Sequence, residues 1–432
     1  MTAHTTMTAL DAALAKAARP EARHVFTRLM EDSARAEAAA ADGRRKAGIN
    51  LGPLDGVLVT IKDLYDVAGM VTTAGSKILA DAAPAKADAP VIARLRRAGA
   101  VLVGRTNMTE FAYSGLGLNP HYGTPGSGPG GRHVPGGSTA GGAVSVSLGI
   151  APLTLGSDTG GSTRIPAAFN GIVGFKPTSP RVPTAGAFPL SYTLDSVGPM
   201  GRSVADCAAM DAVLAGIEAE ALPRVPLAGL RIGVPRGWLF SEMEAEVGAA
   251  FEAALVRLEA AGARIADVDY EDLFAAMREA NTIAQIGACE AAQIHAANLK
   301  ERRDGFDPRV RSRIEGGVRV PAPAYIEVRR RREALKAPFA ARIADVDVLA
   351  LPTTVLRAPL ITPLEQDDAL YTATNVKVLR NTNPFNFFDC PALTMPLPVS
   401  DGLPIGFMIA GAPFADRRLL AIGAAMDPVL KG

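Results

Sequence analysis

Apolar runs and turn residues divide the chain into alternating strands and helices. Val57-Leu58-Val59-Thr60-Ile61 follows Gly52-Pro53 and ends at Lys62-Asp63. A β-branched run with no polar alternation predicts a strand buried on both faces. Helical spacing over residues 89–98 is closed by Gly99, and residues 100–104 (Ala-Val-Leu-Val-Gly) predict the next strand. Strand, helix and strand in that order form a βαβ unit, which implies a parallel or mixed sheet with helices on its faces. Further strands are predicted at 151–155, 230–234, 346–351 and 392–397. A small-residue helix is predicted at 140–148, and a periodic helix at 245–261 leads into the short run Ala263-Arg264-Ile265. Residues 8–45 and 279–344 read as largely helical, and 119–137, dense in Gly and Pro, as irregular loop. With no internal repeat and no Ser/Gly linker, the pattern describes one α/β domain over 1–432, with helical layers at 1–50 and 279–344 around a core at 52–210.

Composition agrees with a packed core. Hydrophobic residues make up 48% of the 432 and charged residues 21%. The 45 Lys and Arg against 44 Asp and Glu leave no charge excess to favour nucleic acid or an anionic membrane. The cysteines, Cys207, Cys289 and Cys390, are odd in number and contain no C-x-x-C pair. This argues against a disulfide framework or a zinc site and makes a reducing cytoplasm the expected location. The N-terminal residues show no basic segment followed by an apolar run, so no secretory signal is expected. The stretch 134–157 carries no charge, and a spanning helix needs about 20 mostly apolar residues. Its glycines, prolines, serines and threonines suit a loop, a buried helix and a strand in turn, so no membrane partner is expected.

Three segments carry chemistry. In Leu155–Pro166 (LGSDTGGSTRIP) a strand runs into Gly160-Gly161-Ser162. Two glycines before a serine allow successive backbone N–H groups to converge on one point, as an oxyanion hole requires. In Pro135-Gly136-Gly137-Ser138 a Gly pair again precedes a serine, here at a helix start, where a simple N-cap is the plainer reading. Lys62 ends an apolar strand. Burial there would lower its pKa and let it act as a base, although a lysine reaching from a strand end to water is the commoner outcome.

These segments and four others resemble the amidase signature family, in its order and at its spacing. They are Gly-Pro-Leu-Asp-Gly-Val...Ile-Lys-Asp (52–63), Val-Gly-Arg-Thr-Asn-Met-Thr-Glu-Phe-Ala (103–112), Pro-Gly-Gly-Ser (135–138) and Gly-Ser-Asp-Thr-Gly-Gly-Ser-Thr-Arg-Ile-Pro-Ala (156–167). Gly-Phe-Lys-Pro-Thr (174–178), Asp-Ser-Val-Gly-Pro-Met-Gly-Arg-Ser-Val-Ala-Asp (195–206) and Gly-Leu-Pro-Ile-Gly (402–406) extend the match over most of the chain. The resemblance implies a large mixed central sheet covered by helices on both faces, and amide hydrolysis without metal or cofactor. It implies Ser162 as nucleophile, Ser138 behind a cis Gly137–Ser138 peptide as proton relay, and a neutral Lys62 as base. It also implies an oxyanion hole of the N–H groups of Thr159, Gly160, Gly161 and Ser162, and pocket walls that include Tyr113, Tyr122, Gly137 and Phe188. The implied partner is a small-molecule amide, with a homodimer as a further expectation. The alternative is a glutamine amidotransferase A-type subunit that supplies ammonia to a partner.

One departure stands out. The family reads Gly-Gly-Ser-Ser-Gly-Gly where this chain has Thr139 and Ala140, which predicts slightly altered geometry around Lys62. Other chemistries fit less well. There is no Gly-x-Ser-x-Gly elbow and no Ser-x-x-Lys motif. Residues 126–131 fit G-x-G-x-x-G by letter but lie in a proline-rich loop with no strand before it. His133 reads as loop or pocket wall. The run Arg329–Arg332 reads as a solvated helix face, or alternatively as a holder of an acidic substrate group.

Overall fold

The computed structural model describes residues 5–399 and 402–432. Residues 1–4 of the expected N-terminal layer lie outside them. Eleven strands form one sheet: β1 (Phe26–Leu29), β2 (Leu58–Lys62), β3 (Val101–Thr106), β4 (Leu153–Asp158), β5 (Val173–Lys176), β6 (Ser196–Gly201), β7 (Arg231–Val234), β8 (Arg264–Asp267), β9 (Val348–Pro352), β10 (Ala392–Leu397) and β11 (Ile405–Ala410). Their spatial order is β1-β3-β2-β4-β6-β5-β10-β11-β9-β7-β8.

The predicted βαβ unit is present. β2 and β3 pair in parallel, and the helix Pro90–Arg97 between them buries Val91, Ile92 and Leu95 in the same apolar cluster as Val59 and Ile61. Each such side chain withdrawn from water contributes about 1.5–3 kcal/mol. All five residues of β2 are buried, as its unbroken apolar run requires of a central strand flanked by β3 and β4. β4 pairs in parallel with β2 and antiparallel with β6, so the sheet is mixed.

Four strands depart from the reading of the sequence. β1 interrupts the expected N-terminal helical layer as a four-residue antiparallel edge on β3. β5, β6 and β11 are the other three. β6 contains Gly198 and Pro199, residues depleted from strands. Its pairing with β5 covers only Gly201 and Met200, so Pro199 lies past the last paired residue on that side.

The uncharged stretch 134–157 resolves into loop, the helix Ala140–Ser147 and most of β4. Among the described residues no helix is long and apolar enough to cross a membrane. The Arg329–Arg332 run is not a uniformly solvated face. Arg330 is exposed, but Arg332 is buried against Asp389, whose carboxylate lies 2.5 Å away. The helix Ala322–Ile343 buries Val328, Arg332, Phe339 and Ile343, so of the four arginines only Arg332 is turned inward.

Candidate active site

The parallel register of β2 and β4 aligns Ile61 with Leu155, so Lys62 sits level with Gly156 at the carboxyl end of both strands. In open α/β sheets this end is where ligands bind. Lys62 is fully buried and donates to two hydroxyls, Ser138 Oγ at 2.7 Å and Ser157 Oγ at 2.8 Å. Burial pushes the Lys62 ammonium down to about 7, against the upward pull of Asp158 and Asp195. The peptide between Gly137 and Ser138 is cis.

Gly156 marks where the two serine segments converge. A Cβ built on it would meet Thr139 Cγ2 and Thr163 Cγ2, each at 3.1 Å. The immediate neighbours of Ser138 and Ser162 therefore flank a single backbone position. Ser162 is 4% exposed, and its hydroxyl makes no hydrogen bond among the described residues. Ser138, by contrast, is held on Lys62.

The turn that carries Ser162 is built around Asp158. Its Oδ1 accepts from Gly161 N–H (2.8 Å), Arg164 Nη2 (2.9 Å) and Asn386 Nδ2 (2.8 Å). Its Oδ2 accepts from Thr163 N–H (3.0 Å), Thr163 Oγ1 (2.9 Å) and Arg164 Nε (3.1 Å). Burial alone would raise this carboxyl, but Arg164 and the other donors hold it well below the usual carboxylate range. A fully buried ion pair is sustained only when its remaining donors and acceptors are satisfied in this way. Gly161 has φ +142°, and a Cβ there would come within 2.3 Å of Thr382 Oγ1 and 2.5 Å of Ile165 Cδ1, so only glycine fits. With Gly161 N–H taken by Asp158, the N–H groups of Thr159, Gly160 and Ser162 are those left without a protein acceptor among the described residues.

Asp195 supports the turn from the other side. Its Oδ1 accepts from Thr159 Oγ1 at 2.6 Å and its Oδ2 from the N–H groups of Leu190 (3.0 Å) and Ser191 (3.1 Å). Burial pushes its carboxyl up to about 6 against these donors. Sequence reasoning assigned no role to Ser157, Asp158, Arg164, Asp195 or Asn386. The first four lie inside the quoted motifs, and their positions there were the available signal. Asn386 had none.

At the departure from the family pattern, Thr139 Oγ1 points to the Ser157 carbonyl at 3.4 Å, and the second hydroxyl on Lys62 is that of Ser157. The expected wall residues are dispersed. Gly137 donates its N–H to Gly115 O at 2.8 Å, next to the serine loop. Phe188 is tied to the Lys62 loop by its N–H to Leu64 O at 2.7 Å and rests on Phe111 and His295. Tyr113 is buried beneath the Arg313 guanidinium, 4.0 Å from its ring centre, and Tyr122 is partly buried beside Asn119. His133 bonds Gly130 O through Nδ1 and bridges to Leu360, with no hydrogen bond to either serine among the described residues.

The amidase family profile matches residues 8–420. The chain is 37% identical to the 2-amino-5-chloromuconic acid deaminase of Comamonas testosteroni, over 92% of this chain and 86% of that protein. It is 36% identical to the A-type subunit of the glutamyl-tRNA(Gln) amidotransferase of Chloroflexus aurantiacus, over 98% and 96%. A solved amidase structure superposes with a TM-score of 0.89 at 35% identity, covering 99% of this chain and 96% of that one. Sequence, sheet and comparison agree, and the chain belongs to the amidase signature family of hydrolases.

Proposed function

We propose that this enzyme hydrolyses the C–N bond of a small-molecule amide through an acyl-enzyme on Ser162. The observation that carries the reading is a fully buried lysine, lowered to about 7 and bonded to Ser138, at the strand end where the Ser162 turn converges. A serine hydroxyl is a weak nucleophile until a base takes its proton. In the proposed sequence Ser162 Oγ attacks the amide carbon as its proton passes to Ser138, and the Ser138 proton passes to neutral Lys62. The N–H groups of Thr159, Gly160 and Ser162 hold the developing oxyanion. Lys62 then returns a proton through Ser138 to the leaving nitrogen, because an unprotonated amine leaves poorly. Water attacks the ester by the same relay and frees Ser162.

Carbamates and esters suit the same machinery. A second reading, ammonia release from glutamine for a partner, is favoured by the 98% coverage against the amidotransferase protein. Purified chain that releases ammonia or amine from simple amides without a partner supports the first reading, and strict dependence on partner proteins supports the second. The nucleophile is tested by fluorophosphonate labelling and peptide mapping. The expected adduct is on Ser162, and an adduct on any other serine overturns the assignment.

A further inference from the structure

We infer that a cavity beside residues 190–195 is a subsite for a carboxylate carried by the substrate, with Arg329 as its cation. The inference rests on the acyl-transfer reading above and names the substrate class for it. The cavity has a volume of about 750 Å³, and its polar lining includes Tyr192, Thr193, Glu290, Tyr325, Arg329 and Arg332. That size suits a small-molecule site, which is commonly about 300–1,000 Å³.

The acid in its lining is not available to a ligand. Glu290 is buried and accepts from Ser191 Oγ, Thr193 N–H (3.1 Å), Thr193 Oγ1 and Tyr325 OH (2.6 Å). A carboxylate offers about four lone-pair positions, and four donors fill them. Against the upward push of burial, these donors hold Glu290 below its usual range, so it stays an anion clamped to the 190–195 loop.

Arg329 is different. It spends Nη1 on Thr193 Oγ1 (2.7 Å), Tyr325 OH (2.9 Å) and, at 3.5 Å, Glu290. Its side chain is 39% exposed, and its Nη2 makes no hydrogen bond among the described residues, whereas its Nε is buried and unpartnered. Arg332 on the same wall is buried and committed to Asp389 and Glu333. The cavity therefore presents a fixed guanidinium with unspent donors and no competing free acid in its lining, which matches a carboxylate.

The placement connects it to the reaction. Thr193 is two residues from Asp195, a span of at most about 7 Å. Asp195 bonds Thr159, which supplies one of the proposed oxyanion donors. The 190–195 loop is thus shared by the Ser162 turn and the cavity wall, with the acyl group of the substrate placed at the first and its carboxylate at the second.

Binding of succinamate and its neutral counterpart succinamide to Ser162→Ala protein, measured by calorimetry, tests this. The expected result is at least ten-fold tighter binding of succinamate. That preference should fall below two-fold when Arg329→Gln is added and persist with Arg329→Lys. Equal or undetectable binding of both compounds by the Ser162→Ala protein overturns the proposal, and this comparison needs no change at Arg329. A preference that survives Arg329→Gln also overturns it. Turnover is not read, so failure of the acyl-enzyme reading would appear separately, in the fluorophosphonate mapping.

Discussion

The strand-end cluster around Lys62 and the cavity around Arg329 are neighbours built on opposite principles. The first is buried and closely packed. Lys62, Ser138, Asp158 and Arg164 are fully buried and hydrogen-bonded to one another or to their neighbours, and Gly161 sits where no side chain fits. The second is open, with a half-exposed guanidinium and an acid saturated by hydroxyls from two segments. A reaction centre needs fixed charges in low dielectric, where they act without reorganising. A recognition site needs unspent donors and space. Relatives of one family can therefore keep the first while altering the second, and substrate choice belongs to the second.

The largest effects should fall on the buried cluster. Ser162→Ala and Lys62→Ala should each lower kcat by roughly 10⁴–10⁶-fold with the fold intact, and the double variant should lose no more than either alone, because the groups act as a unit. Single-turnover rates with circular dichroism check this, and additive losses would break the lysine assignment. Asp158→Asn should cost about 3–5 kcal/mol of stability, since it strips Arg164 of its partner at full burial. Denaturant unfolding measures it, and a neutral result would show that the buried pair is not what holds the turn. Gly161→Ala should cost about 10²–10³ in kcat, the worth of a misplaced oxyanion donor, because its Cβ must displace Thr382 or Ile165.

How much of this was legible follows the same division. β2 and β3 were readable because a fully buried strand leaves an unbroken β-branched run, and the helix between them carries its own cap and period. β6 was not, because Gly198 and Pro199 speak against a strand and only the neighbouring β4 explains it. Lys62, Ser138 and Ser162 each stood in a recognisable motif, but their convergence at Gly156 is a property of sheet register that spacing along the chain does not encode. Ser157 stayed hidden because Thr139 offers a second hydroxyl that could equally have faced the lysine, and only the folded backbone chooses between them. The cavity was legible only in the alternative reading of the Arg329–Arg332 run as a holder of an acidic substrate group. Its wall comes from segments far apart in sequence, and Arg329 is one of four consecutive arginines that only the packing of their helix distinguishes.

Two smaller effects sharpen the contrast. In the buried cluster the base must be neutral, so kcat/KM should be low in acid and rise about ten-fold per pH unit toward a plateau, with its midpoint near the Lys62 value of about 7. Asp195, raised to about 6 and coupled to Lys62, makes that midpoint a property of the pair. A flat profile from about pH 5 to 8 would contradict a lysine held at that value.

In the cavity the mildest change is Tyr325→Phe. It removes a hydroxyl that donates to Glu290 at 2.6 Å and accepts from Arg329 at 2.9 Å, while the ring stays in place. Glu290 keeps three donors, so the loop should hold, and Arg329 keeps Thr193 but loses one of its anchors. Loss of a hydrogen bond to a charged group in a partly wet site is worth about 1.5–3 kcal/mol at most and less where water replaces it. For an acidic amide the expected result is a KM raised by no more than about ten-fold (~1.4 kcal/mol) with kcat nearly unchanged, because binding is affected and the proton relay is not. If kcat fell instead, the hydroxyl would be acting through Glu290 and the 190–195 loop on Asp195 and Thr159, and the two regions would be one mechanical unit.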